Sequence, residues 1–185
     1  MYQFIDVFGT RAGTYPLCAG FGLMAIVFVV LKQMSLLQVD NDTQNKILIS
    51  VPFSVLTGVA VGYLLDLLLR GGLSALFRNP TKYGLTFYGW LFGNLLFLLI
   101  YAHFCKISRT LVMNLFLPSF AIAQALGRIG CFLGGCCYGV PAKIFGVSYP
   151  AGSLPYIHHG STPLVPVQLY ESAYLVVIFI ILFYL

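Results

Sequence analysis

The sequence predicts an all-α polytopic membrane protein, a helical bundle with about five transmembrane spans in this chain. Composition is the first observation behind this prediction. Of the residues, 59% are hydrophobic and 8% are charged, and the mean hydropathy is +0.92. A soluble domain carries roughly 25% charged residues, so these side chains require a lipid environment. The second observation is that the apolar residues form long runs, none of which alternates with polar residues as the strands of a membrane barrel do.

Five apolar runs are long enough to cross the hydrocarbon core as helices, for which roughly 20 residues suffice. The predicted loops between them include residues 73–82 and a longer one at 141–163. Residues 1–15 contain Asp6 and Arg11 among apolar side chains, and we expect them to be a short interfacial segment. We predict one transmembrane domain covering residues 1–185, with spans near 15–37, 47–69, 85–104, 111–133 and 164–185.

Polar side chains embedded in the spans fall at one end of the bundle when the spans alternate in direction. The opposite end has only Lys32, Lys106 and Arg109 at its margin. This asymmetry predicts one water-accessible or head-group cavity at the polar end. Lys and Arg near the span ends are divided too evenly to assign an orientation. The polar set is Asp66, Arg70, Thr86, Tyr88, Trp90, Gln124, Arg128, Gln168, Tyr170 and Glu171.

Arg128 is the central candidate because an arginine at membrane depth costs about 2.5–3.5 kcal/mol even on lenient scales. Its planar guanidinium matches a phosphate through two parallel hydrogen bonds, so we interpret it as the ligand of an anionic lipid head group. The alternative is a structural ion pair with Glu171 or Asp66, and the two roles can coexist. Asp66 and Arg70, spaced i,i+4, are expected to neutralise each other.

Two further features near Arg128 carry candidate chemistry. Glu171 lies on one helical face with Gln168; it is either a general acid or base, its pKa raised by apolar surroundings, or only the partner of Arg128. Gly134, Gly135 and Gly139 allow close backbone approach, and such a turn can direct several N–H groups at one phosphate.

The cysteines in the same turn, Cys131, Cys136 and Cys137, permit three interpretations. A metal site with His158 and His159 is disfavoured because zinc ligands usually come in pairs separated by two to four residues, so we expect no metal and no cofactor. A thiol nucleophile activated by a histidine is the second. The favoured interpretation is packing in a tight turn, with or without a disulfide.

The net charge of +5 rests on few charged residues. It favours anionic lipid as partner over nucleic acid, because the sequence has no basic stripe with interleaved aromatic residues.

Several motifs resemble those of the prolipoprotein diacylglyceryl transferases. These are Gly127-Arg128-x-x-x-Phe132-x-x-Gly135-x-x-x-Gly139, Pro166-x-Gln168-Leu169-Tyr170-Glu171, Gly84-Leu85-Thr86-Phe87-Tyr88-Gly89 and Phe21-Gly22-Leu23-Met24. The resemblance implies a multi-helix enzyme of the bacterial plasma membrane working at the outer face. Such an enzyme transfers diacylglyceryl from phosphatidylglycerol to a cysteine thiol of a lipoprotein precursor and releases glycerol phosphate.

The resemblance also implies site residues, and the sequence departs from the family at some of them. Tyr88 stands where the family has a histidine, Cys131 where it has an asparagine and Cys136 where it has a glutamate. The family also has a later helix with a second arginine, which would follow Leu185. The implied catalytic residues are Tyr88, Arg128 and Glu171, and the implied substrate-binding residues are Arg128, Cys131, Gly134, Gly135, Gly139, Gln168 and Tyr170.

These departures keep three alternatives open. The protein is a transferase with a different acceptor, a divergent phospholipid-binding protein without catalysis, or a thiol redox protein built on the three clustered cysteines.

Overall fold

A computed structural model describes residues 4–7, 10–71 and 84–185. Five of its helices are long and apolar enough to cross a membrane, which confirms the predicted all-α polytopic class. The loop predicted at 73–82 lies outside the described residues. The helices are α1 (Thr14–Leu36), α2 (Asn41–Gly71), α3 (Phe87–Phe104), α4 (Arg109–Gly134), the short α5 (Leu154–His159) and α6 (Val167–Tyr184).

A β-hairpin precedes α1, where the sequence predicted only an interfacial segment. Strands β1 (Phe4–Val7) and β2 (Thr10–Gly13) are antiparallel, and Asp6 lies opposite Arg11. Their side chains form an exposed ion pair with Nε and Oδ1 3.9 Å apart. Cross-strand pairs of opposite charge favour a hairpin only modestly, so Asp6 and Arg11 alone did not predict these strands.

The second helix begins at Asn41 rather than at the predicted Ile47. Asp40 caps it, because its Oδ2 accepts the N–H of Thr43 at 2.9 Å. The next turn carries an i,i+4 ion pair between Lys46 and Asp42. Capping and paired charges stabilise a helical turn that is too polar to count as part of a membrane span.

The last helix begins at Val167 rather than at the predicted Leu164. Leu164 instead exchanges two backbone hydrogen bonds with Val147, of 2.8 and 3.0 Å. Backbone groups committed to this bridge cannot also form the first turn of a helix. The long loop is therefore ordered by local pairing, and it contains α5, which the sequence did not predict.

The described residues fall into two compact units. One unit combines the segment up to Gln33 with Asn114–Leu185, and the other is Met34–Met113. The predicted single domain, and a cavity shared by all five spans, stay predictions.

In the Met34–Met113 unit, α2 and α3 pack through facing glycines. A Cβ added at Gly89 would lie 2.7 Å from the Cα of Gly62, and one at Gly93 would lie 3.1 Å from the Cα of Gly58. Both helices thus carry a G-x-x-x-G pair at the contact, and the pairing is antiparallel. Small residues let helix backbones approach closely in a membrane, where dispersion contacts rather than apolar burial drive association.

In the other unit, α4 is held between α1 and α6. A Cβ at Gly130 would lie 2.8 Å from the Cβ of Cys18, so α1 crosses α4 closely at this point. On the α6 side, the buried hydroxyl of Ser172 donates to the carbonyl of Ala125 at 3.0 Å. These contacts fix the carboxyl-terminal half of α4, which carries Arg128.

Candidate functional site

An ion pair joins Arg128 of α4 to Glu171 of α6. The arginine Nε lies 2.5 Å from Oε2 of the carboxylate. Nε nevertheless has no aligned hydrogen-bond partner, so charge rather than a directed bond holds the contact. Of the two acidic partners left open by the sequence, Glu171 is therefore the one that contacts Arg128.

The Arg128 pair is not sealed from its surroundings. The Arg128 side chain is 24% exposed and the Glu171 side chain is 47% exposed. A guanidinium has five N–H donors, and one carboxylate engages at most two of them in a bidentate pair. Geometry and exposure therefore leave Arg128 able to bind an anion while it stays paired with Glu171.

Directly after Arg128, α4 ends in a Schellman motif. The N–H of Gly135 donates to the carbonyl of Phe132 at 3.2 Å, and the N–H of Cys136 donates to the carbonyl of Cys131 at 3.0 Å. Gly135 has φ of +71°, the left-handed conformation that this motif requires and that glycine adopts without strain. The motif brings residues 131 and 136 side by side although they are five positions apart.

These hydrogen bonds correct one expectation. The glycine turn was predicted to direct N–H groups at a phosphate, but those of Gly135 and Cys136 are committed to the end of α4. The N–H of Gly139 donates to the carbonyl of Val165 at 3.0 Å. A Cβ at Gly139 would lie 2.8 Å from Cγ1 of Val167. Gly135 and Gly139 therefore have structural reasons to be glycine. The interpretation of Arg128 as a phosphate ligand does not depend on this turn and stays a prediction.

Gln168 supports the turn from α6. Its side chain is fully buried, and its Nε2 donates to the carbonyl of Cys136 at 2.5 Å and contacts the Tyr149 hydroxyl at 3.4 Å. Among the described residues its buried Oε1 has no hydrogen-bond partner, and the predicted contact of Gln168 with a substrate stays a prediction. Burial raises the pKa of Tyr149, so its phenol stays protonated at neutral pH.

Three free thiols converge at the end of α4. The sulfurs of Cys131, Cys136 and Cys137 all lie within 4.8 Å of one another. The sequence placed these cysteines in one turn, and the Schellman motif is what brings the sulfurs together; the glycine four residues after Cys131 was a signal for that motif. A hydrogen bond with the Cys131 side chain raises the pKa of Cys136 most, and burial raises it further. Burial is the main cause that raises the pKa of Cys137. Neutral thiols are poor nucleophiles, which disfavours the nucleophile interpretation.

The histidines suggested as metal ligands or bases have other partners. Nδ1 of His158 lies 2.5 Å from the Tyr138 hydroxyl. The ring of His159 meets Tyr138 edge-on, with centroids 5.6 Å apart. Within the described part of the chain, the sulfur cluster contains no histidine.

In the Met34–Met113 unit, Asp66 is a buried structural carboxylate. Its Oδ1 lies 2.8 Å from Nε of Arg70, as predicted, and its Oδ2 accepts the N–H of Gly84 at 2.8 Å. The Thr86 hydroxyl donates to the carbonyl of Gly62 at 3.0 Å. These contacts fix the segment that leads into α3.

Two predicted site tyrosines are exposed. Tyr88 is 68% exposed on the first turn of α3, and Tyr170 is 52% exposed beside Glu171 on α6. Their roles stay predictions. The structure places the other predicted site residues together in the unit that contains α4 and α6: Arg128, Cys131, Gly134, Gly135, Gly139, Gln168 and Glu171.

Comparison with known proteins assigns this architecture to a family. The family model described as prolipoprotein diacylglyceryl transferase matches residues 4–185. The chain belongs to the prolipoprotein diacylglyceryl transferase family. The resemblance seen in the motifs around Arg128 and Glu171 is thereby confirmed, and membership supports a multi-pass membrane protein.

Individual members of the family are similar over most of the chain. Phosphatidylglycerol–prolipoprotein diacylglyceryl transferase 2 of Clostridium perfringens is 27% identical over 175 residues, which cover 91% of this chain and 66% of that protein. The Clostridium tetani enzyme is 27% identical over 179 residues, covering 91% and 67%. A Dehalococcoides mccartyi enzyme is 34% identical over 99 residues, covering 52% and 36%. The chain thus spans about two thirds of the length of the first two diacylglyceryl transferases.

Proposed function

We propose that this protein binds phosphatidylglycerol through Arg128 and transfers its diacylglyceryl group to a thiol, such as the cysteine of a lipoprotein precursor. The observation that carries the proposal is the partly exposed Arg128–Glu171 pair between two apolar helices. Arginine held at membrane depth is functional by default. Family membership supports the substrate class.

In the proposed reaction, the acceptor sulfur attacks the glycerol carbon that bears the phosphate. The carbon–sulfur bond forms as the carbon–oxygen bond breaks, and the electron pair leaves with glycerol phosphate. Negative charge therefore builds up on the phosphate oxygens, where a preorganised guanidinium stabilises it best. Arg128 fits this role, because its position is fixed by Glu171 and by the packing of α4.

The acceptor thiol must also lose its proton. Glu171, which contacts Arg128, is the proposed group. Tyr88, predicted from the sequence for the same step, lies in the Met34–Met113 unit, and its role stays a prediction. Glu171 suits a positioning role as well, because its carboxylate contacts Arg128 directly. We place the site at the outer leaflet of the bacterial plasma membrane, since the acceptor precursor is expected there from the family resemblance.

A phospholipid-binding protein without catalysis is the second candidate. It is favoured by the substitutions at the family's histidine, asparagine and glutamate positions, which here are Tyr88, Cys131 and Cys136. These substitutions change the groups available for catalysis. They leave Arg128, the proposed lipid ligand, in place.

A transfer assay separates the two candidates. Purified full chain is mixed with phosphatidylglycerol labelled in its diacylglyceryl part and a peptide carrying a lipoprotein-precursor cysteine. Transfer of label to the peptide, abolished in Arg128→Ala and reduced in Arg128→Lys, supports the enzyme. Bound but untransferred lipid supports the second candidate. Arg109→Ala, at the other end of α4, is the matched control and should transfer normally.

A further inference from the structure

We propose that Cys131, Cys136 and Cys137 form a binding site for a thiophilic divalent ion of the Zn²⁺ class, held by three thiolates with one coordination position open. The family resemblance did not predict a metal, and the cysteine spacing argued against one. The case rests on how the end of α4 is folded.

The first support is geometric. A tetrahedral zinc with Zn–S distances of about 2.3 Å requires sulfurs roughly 3.8 Å apart. The three sulfurs lie within 4.8 Å of one another, so side-chain rotation brings them to ligating distance. Thiolates are the ligands that Zn²⁺ and other soft ions prefer in proteins.

The second support is the way the backbone presents the thiols. The Schellman motif places Cys131 beside Cys136. Cys137 then adopts a φ of +55°, a left-handed conformation that is unfavourable for a residue with a Cβ. This turn directs a third thiol toward the other two, and strained conformations of this kind cluster at functional sites.

The third support is the surroundings. The buried amide of Gln168 donates to the Cys136 carbonyl, so α6 anchors the ligand loop as an outer-shell partner does. Burial falls from Cys131, which is buried, through Cys136 to Cys137, which is exposed. An ion can enter from the Cys137 side. Three thiolates and one divalent ion leave one negative charge, which the nearby positive charge of Arg128 offsets.

The open position gives the metal a role in the proposed function, on which this step rests. An acceptor thiol that binds there would lose its proton more readily, since a coordinated thiol is deprotonated, and Glu171 would receive that proton. Its sulfur can then form the carbon–sulfur bond as the glycerol phosphate leaves.

The test is metal binding to the reduced full chain in detergent, with Zn²⁺ measured by elemental analysis and Co²⁺ used as a spectroscopic probe. We expect one ion per chain and a sulfur-to-cobalt charge-transfer band. Cys137→Ser, at an exposed position that does not threaten folding, should weaken binding more than the roughly 10–100-fold typical of losing an outer-shell partner. Cys137→His should retain the ion and shift the band.

Cys105→Ser is the matched control, because Cys105 lies in the turn between α3 and α4 and outside the cluster. Its binding should equal that of the wild type. Equal metal content in the wild type and the Cys131→Ser, Cys136→Ser, Cys137→Ser triple variant would overturn the site, and so would a reduced chain that binds no ion. If the chain binds the ion but transfers no lipid, the proposed function alone is contradicted. If the metal-free chain transfers lipid normally, the metal's part in the reaction alone is contradicted.

Discussion

Arg128 is positioned by its partner as much as by its helix. Its contact with Glu171 is an ion pair with both side chains partly exposed, so it contributes about 1 kcal/mol or less to stability. Its value is orientation, since a carboxylate on α6 limits the rotamers of a long side chain on α4. The pair is therefore better explained by binding than by stability.

This explanation predicts the effect of Glu171→Gln. The neutral amide should lower kcat/KM for lipid transfer about tenfold, a loss of roughly 1.4 kcal/mol of transition-state stabilisation, because Arg128 is held less firmly. The pH–rate profile should keep its shape if Glu171 only positions Arg128. Steady-state kinetics across pH provide the measurement, and disappearance of the acidic limb would assign Glu171 as the base instead.

Gly135 gives a second prediction at the residue scale. Gly135→Ala should destabilise the protein by about 1 kcal/mol, because its φ of +71° places a Cβ in an unfavourable conformation. Thermal unfolding in detergent measures the loss. Gly134→Ala is the control, since a Cβ there makes only an ordinary contact of 3.8 Å with the Tyr15 side chain. Equal effects of the two substitutions would contradict the Schellman assignment.

At the scale of helices, glycine positions decide the packing. The facing pairs Gly58–Gly93 and Gly62–Gly89 bring the backbones of α2 and α3 into contact. No large apolar residue fits between them. The same argument applies to Gly130 against α1, so at both crossings the close approach of the helix backbones depends on small residues.

Gly89→Ala should therefore destabilise the α2–α3 pair by about 1–3 kcal/mol, the usual range for overpacking. The added Cβ would lie 2.7 Å from the Gly62 backbone, which cannot move aside as a flexible side chain can. Gly20→Ala is the matched control in α1, since nothing lies within 4 Å of its Cβ. Reversible unfolding in mixed micelles compares the two, and a tolerated Gly89→Ala would contradict the close contact.

The sequence predicted which segments form the five long helices, but it did not predict where two of them begin. The apolar runs gave all five spans because a membrane admits little except helices of sufficient length. The start of α2 was misplaced because Asp40 and the Asp42–Lys46 pair stabilise polar helical turns. The start of α6 was misplaced because Leu164 pairs with Val147, a contact between residues far apart in sequence.

For the site, the charged residues and the grouping of three cysteines in one turn were predictable, and the backbone geometry of that turn was not. Arg128 stood out because charge at membrane depth is costly, and its pairing with Glu171 was one of the two alternatives. Cys131 and Cys136 approach each other only through the backbone turn at Gly135. Motif spacing alone did not indicate that the same turn commits the N–H groups of Gly135 and Cys136 to the end of α4.

At the scale of the whole molecule, the order of the helices predicts the sidedness of two cysteines. Cys105 precedes α4 and Cys137 follows it, so a spanning α4 separates them. If the site faces the outer leaflet, single-cysteine Cys137 should react with an impermeant maleimide on intact cells. Single-cysteine Cys105 should react only after permeabilisation. Labelling detected by mass shift checks both, and the reverse pattern would place the site at the inner face.

The most direct measurement of the central claim is lipid retention by the intact protein in native mass spectrometry. Wild type should retain phosphatidylglycerol in preference to phosphatidylcholine. Arg128→Gln should bind it about 10–100-fold more weakly, the loss expected for charge-assisted hydrogen bonds, while Arg109→Gln at the opposite end of α4 retains it normally. Equal retention by wild type and Arg128→Gln would contradict the assignment of Arg128 as the head-group ligand.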